Sequence, residues 1–282
     1  MTSTDQAPVA EGSASAAPGA WHSKVSSQPV SLPRAMVAEW VKFRSLKSSW
    51  LILASAFVAL MAIALVIAYN TRHPTPGMDP EDLALSATLQ GFHLGELLLG
   101  ALGVLVVTAE YSSGTIRTTL VAVPKRLPVL WAKLVVVIPL VTAAMLISAF
   151  IAFLSSQSLL AHYRPAGSLS DPGALRVVIG TALYLGALTA LSGAIGWIVR
   201  STPGALVTYL GLTLVIPVIV GNLMGSFGRT VAQYLPSEAG TSFVTSIRQP
   251  GLLAPTAGAL VLLAWVVASI AVAAVVLRRR DA

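Results

Sequence analysis

The chain is predicted to be an all-α polytopic membrane protein with six spanning helices and both termini in the cytoplasm, and three observations carry that expectation. Five stretches run 23 to 30 residues without a Lys, Arg, Asp or Glu: between Lys47 and Arg72, Lys133 and Arg164, Arg176 and Arg200, Arg200 and Arg229, and Arg248 and Arg278. A sixth apolar stretch is interrupted only by Glu96, and a bilayer core needs only about 20 apolar residues. Composition agrees, with 55% hydrophobic residues, 10% charged residues and a mean hydropathy of +0.79, against roughly a quarter charged in a soluble domain. The cations are also distributed asymmetrically. With the N-terminus inside, thirteen of the eighteen Lys and Arg residues fall on inside segments and five outside, as the positive-inside rule requires. The net charge of +7 therefore reflects orientation in a membrane, and no nucleic-acid partner is expected.

Lipid offers the backbone no hydrogen-bond partners, and the apolar runs lack period-2 alternation, so helices are expected over a barrel. Residues 1–31, rich in Ala, Ser, Pro and Gly, contain no apolar run of the kind a cleaved signal needs and read as a disordered cytoplasmic tail. Residues 32–49 read as a helix lying in the cytoplasmic interface. At 100° per residue Met36, Trp40 and Phe43, with Val37 beside them, share one face, Glu39 and Lys42 fall elsewhere, Trp40 and Phe43 lie in the headgroup region, and the cations, Arg44 among them, sit near anionic lipid. The same residues also serve as the basic flank that orients the first span. A six-helix membrane domain follows over 50–277, with spans at about 50–69, 89–108, 133–154, 175–199, 205–224 and 256–277. Residues 278–282 form a basic cytoplasmic C-terminus.

The expected outside loops carry little chemistry. The segment 70–88, with Asp79, Glu81 and Asp82 among prolines, lacks the spacing of a calcium loop and reads as a solvated linker. The last such loop, 225–255, is long enough for a short interfacial helix before Pro236. The absence of cysteine excludes disulfides and thiolate metal sites.

The segment from Glu110 to Lys133 is too polar to span and too patterned to be a plain linker. Gly114 permits a sharp turn, Thr115 suits a helix cap, Ile116 and Leu120 fall on one face, and Pro124 ends the pattern. A short cytoplasmic helix with Arg117 exposed is the expectation, and an amphipathic connector with no further role would show the same pattern.

The run Glu110-Tyr111-Ser112-Ser113-Gly114-Thr115-Ile116-Arg117, followed by Pro124-Lys125-Arg126 and by Lys133, resembles the signature of ABC transporter permeases of the type-2 exporter class. The elements Glu39-Trp40-Val41-Lys42, Leu235-Pro236, Ala239-Gly240 and the terminal Arg279-Arg280-Asp281-Ala282 are similar to the bacterial branch of that family, and the resemblance covers nearly all of 32–282. It implies a plasma (inner) membrane permease subunit that pairs with a second permease, as homodimer or heterodimer, and with ABC ATPase subunits, in contact with membrane lipid. It further implies a coupling helix after the second span, with Glu110, Gly114, Thr115, Ile116, Arg117, Pro124 and Arg126 forming or supporting the ATPase contact. The segment with Glu39, Trp40, Lys42 and Arg44 would be the family's connecting helix. The cargo expected from the charge-free spans is apolar or amphipathic, moved by alternating access.

No catalytic residue, cofactor or metal is expected on this chain, with ATP and Mg on the partner ATPase. A P-loop needs Gly-Lys-Ser/Thr, and none of the five lysines follows a glycine. No His precedes Glu as HExxH requires, and Ser192 lacks the GxSxG arrangement. Glu96 is the one acid inside a span, with His93 on the same face. The pair reads either as a polar transport site, the basis of a secondary-transporter alternative, or as a satisfied pair beside water. A non-transporting membrane assembly protein is the remaining alternative. Gly91 and Gly95 form a GxxxG face, continued by Gly100 and Gly103, suited to an internal or an intersubunit contact. Pro139 and Pro217 fall inside spans, as static bends or gating kinks.

Overall fold

A computed structural model describes residues 31–71, 90–116, 119, 127–163, 167–245 and 251–279. The tail 1–30, the acidic segment 72–89, Arg117, Leu120, Pro124, Arg126 and residues 280–282 therefore lie outside the described residues. The described chain is all-helical: α1 (Leu32–Ser45), α2 (Lys47–Asn70), α3 (Phe92–Ser112), α4 (Leu127–Leu160), α5 (Ala174–Val199), α6 (Thr202–Leu210), α7 (Ile216–Leu223), α8 (Gly225–Ala232), α9 (Pro236–Val244) and α10 (Pro255–Arg279). A π-helical turn, Gly211–Val215, joins α6 to α7, and the two cross as one element. Six helices are thus long and apolar enough to span a bilayer.

The centre of the bundle is α5. Nearly three-quarters of its most apolar window is buried, against about one-sixth for α10, and it packs on α3, α4, α10 and α9. Small residues let it sit there. Gly103 of α3 rests directly on the Ser192 side chain and the Thr189 carbonyl of α5, and Gly100 lies under the Tyr209 ring of α6. Gly91 meets the backbone of α2 at Leu60. The small-residue face of α3 is consequently consumed within the subunit, which decides between the internal and intersubunit readings of those glycines.

Beyond α7 the chain forms α8, before Pro236 as expected, and then α9, which the sequence did not announce. Two bonds from Arg176 of α5, to the Phe243 carbonyl (2.9 Å) and the Thr245 carbonyl (3.2 Å), tie down the end of α9. The Trp265 indole donates to the Tyr234 carbonyl at 2.8 Å and so attaches α10 to the same region. At the opposite end, Val107, Ile116, Val129, Leu130, Trp197 and Leu277 share one apolar cluster. That cluster draws together the ends of α3, α5 and α10 and the start of α4, so the last residues of α10 lie at the end of the bundle where α1 packs on α4.

The expected interfacial face of α1 divides: Trp40 stays at the surface, whereas Phe43, expected beside it in the headgroup region, turns into the protein together with Glu39. Glu39 (6% exposed) and Phe43 (3%) are the buried residues, while Trp40 is 40% exposed. The reason is a cation on α4 that draws Glu39 inward.

Candidate functional site

That cation is Lys133. Helix α4 begins at Leu127, six residues earlier than the charge pattern suggested, so Lys133 sits more than a turn inside the helix and is 4% exposed. Its ammonium has three protons to donate, and all three find oxygen: Glu39 Oε2 of α1 at 2.6 Å, Glu110 Oε1 of α3 at 2.7 Å and the Val106 carbonyl of α3 at 3.1 Å. Lys42 closes the cluster from the rim, donating to Glu39 Oε1 at 2.8 Å and Glu110 Oε1 at 3.2 Å. Two cations and two carboxylates balance in charge, which is what makes burial of Glu39, Glu110 and Lys133 tolerable. Burial alone would lower the Lys42 pKa, but the hydrogen bond and charge of Glu39, and then those of Glu110, outweigh it and hold it above the ordinary lysine value.

The cluster joins three elements that are far apart in sequence: the helix before the first span, the end of the second span and the start of the third. Beside it lies a cavity of about 400 Å³, walled by Phe43, Leu46, Val106 and Val137 and reaching Ser113 and Thr115. The Glu110 Oε2 atom is buried without a hydrogen-bond partner.

Two residues beyond Glu110, after Ser112, the chain turns out of the helix. Gly114 has φ +73°, a left-handed conformation that glycine adopts without a Cβ penalty. The Thr115 hydroxyl donates back to the Glu110 carbonyl at 3.5 Å and meets the Ser113 hydroxyl at 2.9 Å. Thr115, Ile116 and Thr119 are helical, and the Thr119 hydroxyl donates to the Thr115 carbonyl at 3.1 Å. Ile116 is 3% exposed and plugs the apolar cluster around Trp197, where the Trp197 and Tyr111 rings meet edge-on at 5.9 Å. Polar bonds on one side and an apolar plug on the other thus anchor the start of this segment.

Of the residues singled out in the sequence, Glu39, Lys42 and Glu110 come together. Gly114, Thr115 and Ile116 follow directly, and Trp40 and Arg44 lie on the exposed side of α1. His93 and Glu96 belong to the other end of α3, with Nδ1 and Oε2 3.9 Å apart. Lys133, the hub, was not among the expected site residues. The available signal was an unpaired Lys opening one apolar run while a Glu closes the preceding one, which sets opposite charges at one depth.

A family model described as ABC-2 family transporter protein matches residues 35–224. The chain belongs to the ABC-2 transporter family. No curated protein matches it at a significant level. An ABC-2 permease is the transmembrane component of its transporter, and the matched residues include the whole cluster, from Glu39 on α1 to Lys133 on α4.

Two predictions follow from the unequal exposure of these groups. The side chain of Lys42 is 39% exposed while both its partners are buried, so Lys42→Met should cost about 1–3 kcal/mol, less than loss of Lys133 because water reaches the rim, and lower the melting temperature of the purified permease by a few degrees. Ile116→Ala removes a fully packed side chain. It should destabilise by about 2 kcal/mol or more and speed cleavage near 117–126 by protease added to inside-out vesicles.

Proposed function

We propose that this ABC-2 permease is the membrane subunit of an ATP-driven exporter that moves an apolar or amphipathic molecule across a bacterial plasma membrane. It would act with a second permease chain, identical or not, and with separate ATPase subunits that bind ATP and Mg and carry out hydrolysis. The observation that carries the reading is the Glu39–Lys133–Glu110 cluster. A push on α1, or on the segment after Glu110, cannot be absorbed locally, because Lys133 bonds both elements and belongs to a spanning helix.

The roles follow from position. Gly114, Thr115 and Ile116 form the described base of the coupling segment. Arg117, Pro124 and Arg126 would provide its contact with the ATPase. Trp40 and Arg44, on the exposed side of α1, would meet headgroups or the ATPase. Lys133, Glu39 and Glu110 would convert movement of these parts into movement of α3 and α4, giving two arrangements with different contacts, as coupling between ATP and transport demands. The apolar or amphipathic cargo is supported by spans that offer few charges to replace the hydration shell of a small ion.

The test is co-purification of the chain with the ATPase of its transporter, followed by uptake of lipophilic compounds into inverted proteoliposomes with and without ATP. Uptake that requires both ATP and the ATPase is expected. Uptake driven by a proton or sodium gradient with no ATPase present would contradict the exporter reading and favour a secondary transporter.

A further inference from the structure

At the end of α3 away from the charge cluster, about 21 Å along the helix from Glu110 at 1.5 Å per residue, Glu96 opens onto a second cavity, of about 370 Å³. Its walls are unlike those of the first. Glu96 of α3 and Glu238 of α9 both line it. Glu96 is 7% exposed, and among the described residues no Lys or Arg lines the cavity to answer the two carboxyls. Partial burial, and next the charge of Glu96, push the Glu238 carboxyl above its ordinary range against the pull of His93, so the two acids sense one another across the space. The His93 side chain stands at the mouth, 64% exposed. Arg229 lines a neighbouring cavity on the far side of Glu238.

A further observation points to something that fills the space. Ser237 is 7% exposed and lines the cavity, yet its hydroxyl oxygen is buried with no hydrogen-bond partner. A buried hydroxyl left unpaired costs about 1–3 kcal/mol, and a ligand with a polar head would answer it.

We propose that this cavity binds the ammonium end of an amphipathic cation, held between Glu96 and Glu238, with the apolar body lying against Leu94, Leu214 and Val218. Those three side chains are 40–55% exposed, so they form an apolar flank that continues out of the cavity along the side of the bundle. A metal ion fits less well, since no three His, Cys, Asp or Glu groups among the described residues lie close enough to share one. A volume of 370 Å³ lies within the range of small-molecule sites. The inference rests on the exporter reading only in taking the cation as cargo; the site itself is open to test without ATP.

The experiment is equilibrium dialysis of labelled benzylammonium against the full-length permease in nanodiscs of phosphatidylglycerol, with its neutral isostere ethylbenzene as competitor. Saturable binding of the cation is expected, with no competition from the isostere. Glu96→Gln and Glu238→Gln should each weaken binding on the order of 10-fold, the equivalent of about 1.4 kcal/mol. Glu238→Gln removes only a partly buried charge outside the spans, so it remains informative if Glu96→Gln fails to fold. Equal affinity in wild type and Glu238→Gln, or full competition by the isostere, would overturn the proposal. Nanodiscs containing phosphatidylethanolamine identify the source of the ammonium. Competition by that lipid in wild type alone assigns the site to a lipid headgroup, and unchanged affinity assigns it to a soluble amphipath; both outcomes uphold the ammonium chemistry. Binding intact without ATP-driven uptake would instead count against the exporter reading, and uptake without binding against this site.

Discussion

Lys133→Met should be the most damaging single substitution in this permease. It leaves the Glu39 and Glu110 carboxylates buried with only the half-exposed Lys42 to balance them, and removing one partner of a buried ionic cluster costs about 3–5 kcal/mol. For a chain of this size that loss corresponds to a fall in melting temperature on the order of 10 °C, measurable in detergent by intrinsic Trp fluorescence. The magnitude comes from stranding the acids and not from the strength of the pair, since charges taken from water gain little net energy even when well matched. Neutralising them together should therefore restore most of the loss. The triple variant Glu39→Gln, Glu110→Gln, Lys133→Met is expected to melt well above Lys133→Met alone, yet to transport poorly, because the polar tie from α1 to α4 is gone. A triple variant no more stable than the single one would show that packing of the lysine stem, and not charge balance, holds the cluster.

Gly103→Leu should have the next largest effect. A Cβ at Gly103 already collides with the Ser192 hydroxyl and the Thr189 carbonyl on α5. The carbonyl belongs to α5, the helix that the others surround, so it cannot swing aside. Overfilling such a contact costs about 1–3 kcal/mol, and a full leucine must also push apart the most extensive helix pair in the molecule. Loss of monodisperse protein on size-exclusion chromatography is expected. Gly211→Ala is the comparison, since a Cβ there meets nothing within 4 Å. It should be neutral or slightly stabilising, because the unfolded chain loses freedom.

The spans were legible because length and charge exclusion are one-dimensional properties: 20 or more residues without an ion can be read along the chain. The charge cluster was not, because its members are 94 and 23 positions apart and nothing local marks which depth each will occupy. Lys133 was read as the border of a span, since a lysine after Pro124-Lys125-Arg126 looks like the last of a basic flank. The helix instead continues back to Leu127, with Val129, Leu130 and Ala132 buried, and that carries the ammonium into the bundle. The inward turn of Glu39 and Phe43 was hidden for the same reason: hydrophobic periodicity groups Phe43 with Trp40, but a buried cation on another helix draws Glu39 in and Phe43 follows, while Trp40 stays at the surface. Gly114, by contrast, was readable as a turn from residue type alone, whereas the burial of Ile116 against Trp197 depends on a helix far along the chain.

The central claim is that the Glu39–Lys133 tie transmits the work of the ATPase to the spans. Its most direct test is the number of cargo molecules moved per ATP hydrolysed in proteoliposomes holding the permease and its ATPase, with wild type compared with Glu39→Gln. The side chain keeps its shape and weakens that tie together with the rim bond from Lys42. A ratio that falls several-fold while ATP hydrolysis and complex assembly persist is the predicted result; an unchanged ratio would contradict it.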